Sequence, residues 1–147
     1  ARMIVAYADA SVDEPIVSVG YVLVDSAYSD QSLLETGTRI VNTETDSKDI
    51  DWTSHKAEYW AAIIAVRAAL DYNENTLLLH LDNSDVVAQI RDENWKWESY
   101  FPHTFRSFIN RYNDWHISAV HRKNNEVAHE QARVGLKVGR EINDGYL

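Results

Sequence analysis

Two short apolar runs, Met3 to Ala8 and Thr76 to Leu81, each stop on an aspartate, Asp9 and Asp82. Runs of this length read as buried strands. An acid at the end of such a strand is a charge fixed at the rim of a core. After Asp82, Asn83 or Ser84 supplies a helix cap, and Val86, Val87 and Ile90 follow at helical spacing, so the pattern is strand, carboxylate, helix. In sheets with parallel strands, ligands collect at the carboxyl ends of the strands, where helix N-termini also point inward. If these two strands are neighbours, their carboxylates face each other and repel unless a proton or a cation lies between them.

The rest of the chain changes hydrophobic period several times, as an α/β domain does. Asp13-Glu14-Pro15 is a turn leading into a second strand, Ile16 to Val24 with Gly20 inside it. A polar turn at Asp25 to Asp30 precedes a third strand, Leu33 to Asn42, completing an antiparallel meander. Thr53 or Ser54 caps a helix to about Tyr72. Pro102 suits the first turn of another, whose apolar face is Phe105, Phe108, Ile109 and Tyr112. Trp115 to Val120 is a fifth strand. A final helix runs to about Val138, with Val127, Ala128, Gln131, Ala132 and Gly135 along one side. The order is βββαβααβα, which predicts a mixed five-stranded sheet, three meander strands plus two parallel ones, flanked by helices in a single domain over residues 1–147.

With 45% hydrophobic residues the chain can build a core, and with no cysteine it excludes disulfides, thiol nucleophiles and sulfur-bound metals. The longest apolar stretch, Ala61 to Leu70, is interrupted by Arg67, and no basic-then-apolar signal opens the chain, so a cytoplasmic monomer away from membranes is expected. The net charge of −9 argues against nonspecific nucleic-acid binding. Its distribution softens that: residues 1–90 carry 5 basic and 15 acidic side chains, residues 91–147 carry 9 and 8. An acidic surface with nine arginines to five lysines is also what a halophilic cytoplasm favours, because salt screens self-repulsion. A third acid, Glu58, lies just inside the first long helix. Singly, each acid reads as a turn, cap or solvated-face residue; as a trio they suit a hard oxygen-bound cation such as Mg²⁺ or Mn²⁺.

Four local contexts resemble the ribonuclease H family, type 1, including its reverse-transcriptase-like domains. They are Tyr7-Ala-Asp9-Ala-Ser11 with Gly20-Tyr-Val-Leu23, Thr53-Ser-His-Lys-Ala-Glu58-Tyr-Trp, Leu79-His-Leu-Asp82-Asn-Ser84, and Arg122-Lys-Asn-Asn125-Glu-Val-Ala-His129. The resemblance covers about Met3 to Leu136. It implies the ribonuclease H-like fold and a metal-dependent endonuclease that hydrolyses the RNA strand of RNA/DNA hybrids with two metal ions, leaving 5′-phosphates. By position, Asp9, Glu58, Asp82 and residue 129 are the implied catalytic and metal-binding residues. Ser11, Asn83, Ser84, Arg122, Lys123 and Asn125 are the candidate substrate contacts, with Ser11, Asn83 and Ser84, which follow Asp9 and Asp82, as readers of the ribose 2′-hydroxyl.

The departures shape the expectation. His129 stands where the family has a fourth aspartate; imidazole brings no negative charge and is a poor Mg²⁺ ligand, so the second metal site is expected to be weakened. Glu126 and Asp85 are considered as auxiliary carboxylates. The link before Pro102 leaves no room for the extra basic helix of some members, leaving Trp95-Lys-Trp97 with Tyr100 and Phe101 for stacking. The loop before the last helix lacks a histidine-bearing insertion, and His121 reads as packed. Phosphate contacts fall to Arg122 and Lys123, then to Arg133, Lys137 and Arg140. The competing reading is a catalytically weak or inactive nucleic-acid-binding module on the same fold.

Overall fold

The computed structural model describes residues 3–26, 32–46, 50–92 and 100–145. Its elements follow the expected order: β1 (Met3–Asp13), β2 (Ile16–Asp25), β3 (Ser32–Asn42), α1 (Ser54–Leu70), β4 (Thr76–Leu81), α2 (Ser84–Arg91), α3 (Tyr100–Ile109), β5 (Asp114–Ala119), a 3-10 turn (Arg122–Asn124) and α4 (Glu126–Asn143). The five strands form one sheet in the order β3-β2-β1-β4-β5. β1, β2 and β3 pair antiparallel, whereas β4 runs parallel to β1 and β5 parallel to β4. The strand alternation splits the interior in two. Ile4, Ala6 and Ala8 of β1 join Val17, Val19 and Leu23 of β2 in the main core, beneath α1 and α3. Val5, Val22 and Val24 face the other way, against Ala128 of α4.

The helix starts are set by side chains. Thr53 caps α1, its Oγ1 accepting from the Lys56 amide at 3.2 Å. Asn83 caps α2, its Oδ1 accepting from the amides of Asp85 and Val86 at 3.0 and 3.1 Å. Each such cap contributes on the order of 1 kcal/mol. Pro102 lies in the first turn of α3, with Phe105 and Ile109 fully buried below it. Glu35 of β3 accepts from the Tyr72 hydroxyl at 2.8 Å and also from Tyr21, tying the meander to the residues after α1. Among the described residues no helix is long and apolar enough to cross a membrane.

The last helix departs from the sequence pattern. It continues past Val138 to Asn143, and Val127, expected on its inner side, is 55% exposed. Its buried stripe is Ala128, Ala132, Gly135 and Gly139. The reason is distance: α4 lies so close to the sheet that only the smallest residues fit beneath it. A Cβ on Gly20 would collide with the Ala128 carbonyl oxygen and the Ala132 amide, and one on Gly135 with Ser18 and Thr38. Thr38 of β3 donates to Gln131 Oε1 at 3.0 Å along the same seam. The gain from close packing against β2 and β3 outweighs the low helix propensity of two glycines.

Gly20 is also the register partner of Asp9. Gly20→Ala is therefore expected to push α4 off the sheet and cost about 1–3 kcal/mol, as overpacking of a filled interior does. Urea unfolding checks this. An unchanged midpoint would mean that α4 is not seated on β2 as described.

Candidate active site

β1 and β4 deliver Asp9 and the residue after the strand, Asp82, to the same edge of the sheet, and the second turn of α1 delivers Glu58. One carboxylate oxygen from each lies within 4.8 Å of the others. Asp9 is fully buried, Glu58 is buried, and the Asp82 side chain is only 9% exposed. Few of their oxygens are satisfied. Glu58 Oε1 accepts from the Ala10 amide at 2.9 Å, while Asp9 Oδ1, Glu58 Oε2 and Asp82 Oδ2 are buried with no hydrogen bond. Burial raises the pKa of Glu58, and the neighbouring Asp9 and then Asp82 raise it further against the opposing Ala10 amide. Asp82 is raised by burial and by Asp9, partly offset by the Arg122 charge.

These orphaned oxygens test whether a cation fits. Three buried carboxylates that repel one another, with one oxygen from each within 4.8 Å of the others, match the oxygen-rich donor set of a hard divalent ion. A neutral hydrogen-bonding role would leave those oxygens unpaired at a cost of about 1–3 kcal/mol each. The trio therefore fits one hard divalent cation.

His129, in the first turn of α4, is 24% exposed, and its Nδ1 lies 2.6 Å from Asp9 Oδ2. Arg122 enters from the 3-10 turn, its Nε 3.4 Å from Asp82 Oδ2 and its Nη1 3.3 and 3.4 Å from the two ring nitrogens of His129. These contacts were not legible in the sequence, where Arg122 reads only as a phosphate contact. Glu126 and Asp85, considered as auxiliary acids, are exposed, and neither joins the trio.

The other expected substrate contacts separate. Asn83, Ser84, His121 and Arg122 line a cleft of about 400 Å³ beside Asp82. Asn83 spends its Oδ1 on the α2 cap, so its Nδ2 is the end left for a ligand. Ser11 is half-buried on β1, opposite Ser18. Lys123 is exposed on the far side of the turn, on the rim of a separate depression with Tyr7 and Val127. Asn125 is different: it is 2% exposed, and its Nδ2 donates to the Ala8 carbonyl at 2.9 Å. That bond pins the start of α4 to β1 one residue before Asp9, which makes Asn125 a positioning residue.

His121, read as packed, is exposed in the cleft because the chain leaves the sheet there into the 3-10 turn. Arg133 pairs with Glu130 at 3.8 Å, and Arg140 pairs with Asp13, so these two cations already have exposed partners. Tyr100 is exposed, whereas Phe101 is buried against Trp52, with ring centroids 5.4 Å apart. Trp95, Lys96 and Trp97 lie outside the described residues.

Residues 8–135 match the family described as reverse transcriptase-like. Comparison with curated protein sequences returns no match. Among solved structures, the chain is similar to the RNase H1 of the halophilic archaeon Halobacterium salinarum, at 26% identity and a TM-score of 0.76, over 92% of this chain and 98% of that one. It is similar in fold to the N-terminal RNase H domain of a Mycobacterium tuberculosis protein, at 16% identity and a TM-score of 0.80, over 97% and 99% of the two chains. It is likewise similar in fold to LC11-RNase H1, solved in complex with an RNA/DNA hybrid, at 15% identity and a TM-score of 0.72, over 91% and 96%.

Because burial and neighbouring charge raise the pKa values of Glu58 and Asp82 in the folded state, their ionisation destabilises the metal-free protein as pH rises through those raised values. Asp82→Asn is expected to raise the metal-free melting temperature by about 3–5 °C, the shift that ~1 kcal/mol produces in a domain of this size. Mn²⁺ is expected to raise the melting temperature of the wild type and not of the variant. Differential scanning calorimetry with and without the ion reads both effects.

Proposed function

Because the chain belongs to the reverse transcriptase-like family and has the ribonuclease H-like fold, we propose that it is a metal-dependent endonuclease that hydrolyses the RNA strand of RNA/DNA hybrids. The observation that carries this reading is the convergence of Asp9, Glu58 and Asp82, each with an unsatisfied buried oxygen. The same fold serves other roles, so the site and not the fold is the argument. Similarity to the Halobacterium salinarum RNase H1 supports the reaction class.

Asp9, Glu58 and Asp82 would hold a divalent ion, Mg²⁺ or Mn²⁺, which would supply Lewis-acid activation of a water and positive charge at the scissile phosphate. The chain's own residues do the rest. Glu58 is held by the Ala10 amide, which fixes the α1 acid against β1 and keeps the trio assembled before substrate arrives. Arg122 lines the clefts on both sides of Asp82, so its guanidinium meets a backbone phosphate laid across the site. Ser84 and the Asn83 side-chain amide line the same cleft, which supports the reading that they donate to a ribose 2′-hydroxyl, the group that distinguishes RNA from DNA. Lys123 adds a second phosphate contact beyond the turn.

The hybrid approaches a protein of net charge −9, so its affinity rests on this local basic edge and on the metal. The acidic, lysine-poor composition extends the proposal to a halophilic cytoplasm, where salt screens that charge.

The test is incubation of an end-labelled RNA/DNA hybrid with Mg²⁺ and then Mn²⁺, at low and high salt, beside Asp9→Asn. The expected result is metal-dependent cutting of the RNA strand alone, falling by at least ~10³-fold in the variant. A folded wild-type chain that cuts nothing under any of these conditions would overturn the proposal in favour of a noncatalytic nucleic-acid-binding module.

A further inference from the structure

His129 lies between Asp9 and Arg122. Its Nδ1 is 2.6 Å from Asp9 Oδ2, which turns that nitrogen to the carboxylate, while Arg122 Nη1 sits almost equally far from Nδ1 and Nε2, at 3.3 and 3.4 Å, so a fixed positive charge stands beside the ring where a second metal ion would have to approach. An imidazole also brings no negative charge to hold such an ion. Asp9 Oδ2 is itself occupied, which leaves Oδ1 as its free oxygen. The residues at this corner therefore do not fit a second divalent ion.

A cation is nevertheless present there. The Arg122 guanidinium spans from Asp82 to His129 and brings a fixed positive charge. Its backbone is held by the 3-10 turn: Asn125 N donates to Arg122 O at 2.8 Å, and the buried Asn125 side chain is anchored to Ala8. Arg122 is also shared by the cleft that holds Glu58, Ser54 and Ala10 and the cleft that holds Ser84 and His121. When ionised, the three carboxylates are balanced by one divalent ion and one guanidinium. With no acid at position 129, a further divalent ion would add charge that nothing there offsets.

We infer that Arg122, braced on His129 and Asp82, takes the place of a second metal ion, so that the site binds one divalent cation and presents one guanidinium to the substrate phosphate. This rests on the reading of Asp9, Glu58 and Asp82 as a cation site. A guanidinium offers two parallel donors to phosphate oxygens and is not removed by a chelator, but it does not acidify water; that task falls to the single ion.

Calorimetric titration of the whole chain with Mn²⁺, without nucleic acid, tests this through stoichiometry. One ion per chain is expected for the wild type and for Arg122→Lys, and two for the double variant Arg122→Ala with His129→Asp, whose folding is checked by circular dichroism. Two ions in the wild type, or one ion in a folded double variant, would overturn the inference. A chain that takes one Mn²⁺ yet leaves a hybrid uncut removes the nuclease reading and supports this one; a chain that cuts the hybrid and takes two does the reverse. No uptake of Mn²⁺ overturns both.

Discussion

Parallel pairing of β1 with β4 is the constraint on which the site depends. The register runs from Met3 opposite Thr76 to Tyr7 opposite His80, and carried two residues further it sets Asp9 opposite Asp82. β1 runs on past Asp9 to Asp13, paired with β2, rather than ending on the acid as the apolar run suggests. Parallel neighbours nevertheless keep equivalent positions side by side about 4.8 Å apart, so two acids at these positions are brought together whether or not they attract. Apolar side chains enforce the arrangement. Ile4, Ala6, Leu77 and Leu79 are fully buried, and sliding the register to separate the acids would turn those side chains out of the core.

The acids therefore stand in an environment that opposes their charge, and the surrounding groups show how little is done to relieve it. One backbone amide reaches Glu58, one imidazole reaches Asp9, and one guanidinium leans on Asp82. Strain of this kind is what a preorganised cation site requires, since a trio already neutralised by internal hydrogen bonds would have to give them up to bind an ion. The caps on α1 and α2 and the Asn125 anchor carry the complementary task of holding these elements in place against the repulsion.

Much of this was legible in residues. The strand ending on Asp82 and its Asn83 cap could be read from spacing, because apolar period and cap chemistry are local. The trio followed from motifs on those elements. What escaped was tertiary. The depth at which α4 seats depends on Gly20 of a distant strand, so Val127 reads as an inner residue although it is exposed. Asn125 is implied as a ligand contact by the motif it sits in, yet it is buried and its Nδ2 is spent on the Ala8 carbonyl. Arg122 reads as a phosphate contact, and its contacts with two residues 40 and 7 positions away exist only once the 3-10 turn has formed.

Gly20 has a consequence reaching beyond packing. It has no side chain at the register position facing Asp9, and that missing methyl sets how far the first turn of α4 stands above the sheet. An imidazole at 129 spans the resulting gap to Asp9. The dimension of the acidic corner is thus gauged from the neighbouring strand, by a residue that never touches a ligand. Any drift in what position 129 holds is answerable to that gauge before it is answerable to chemistry.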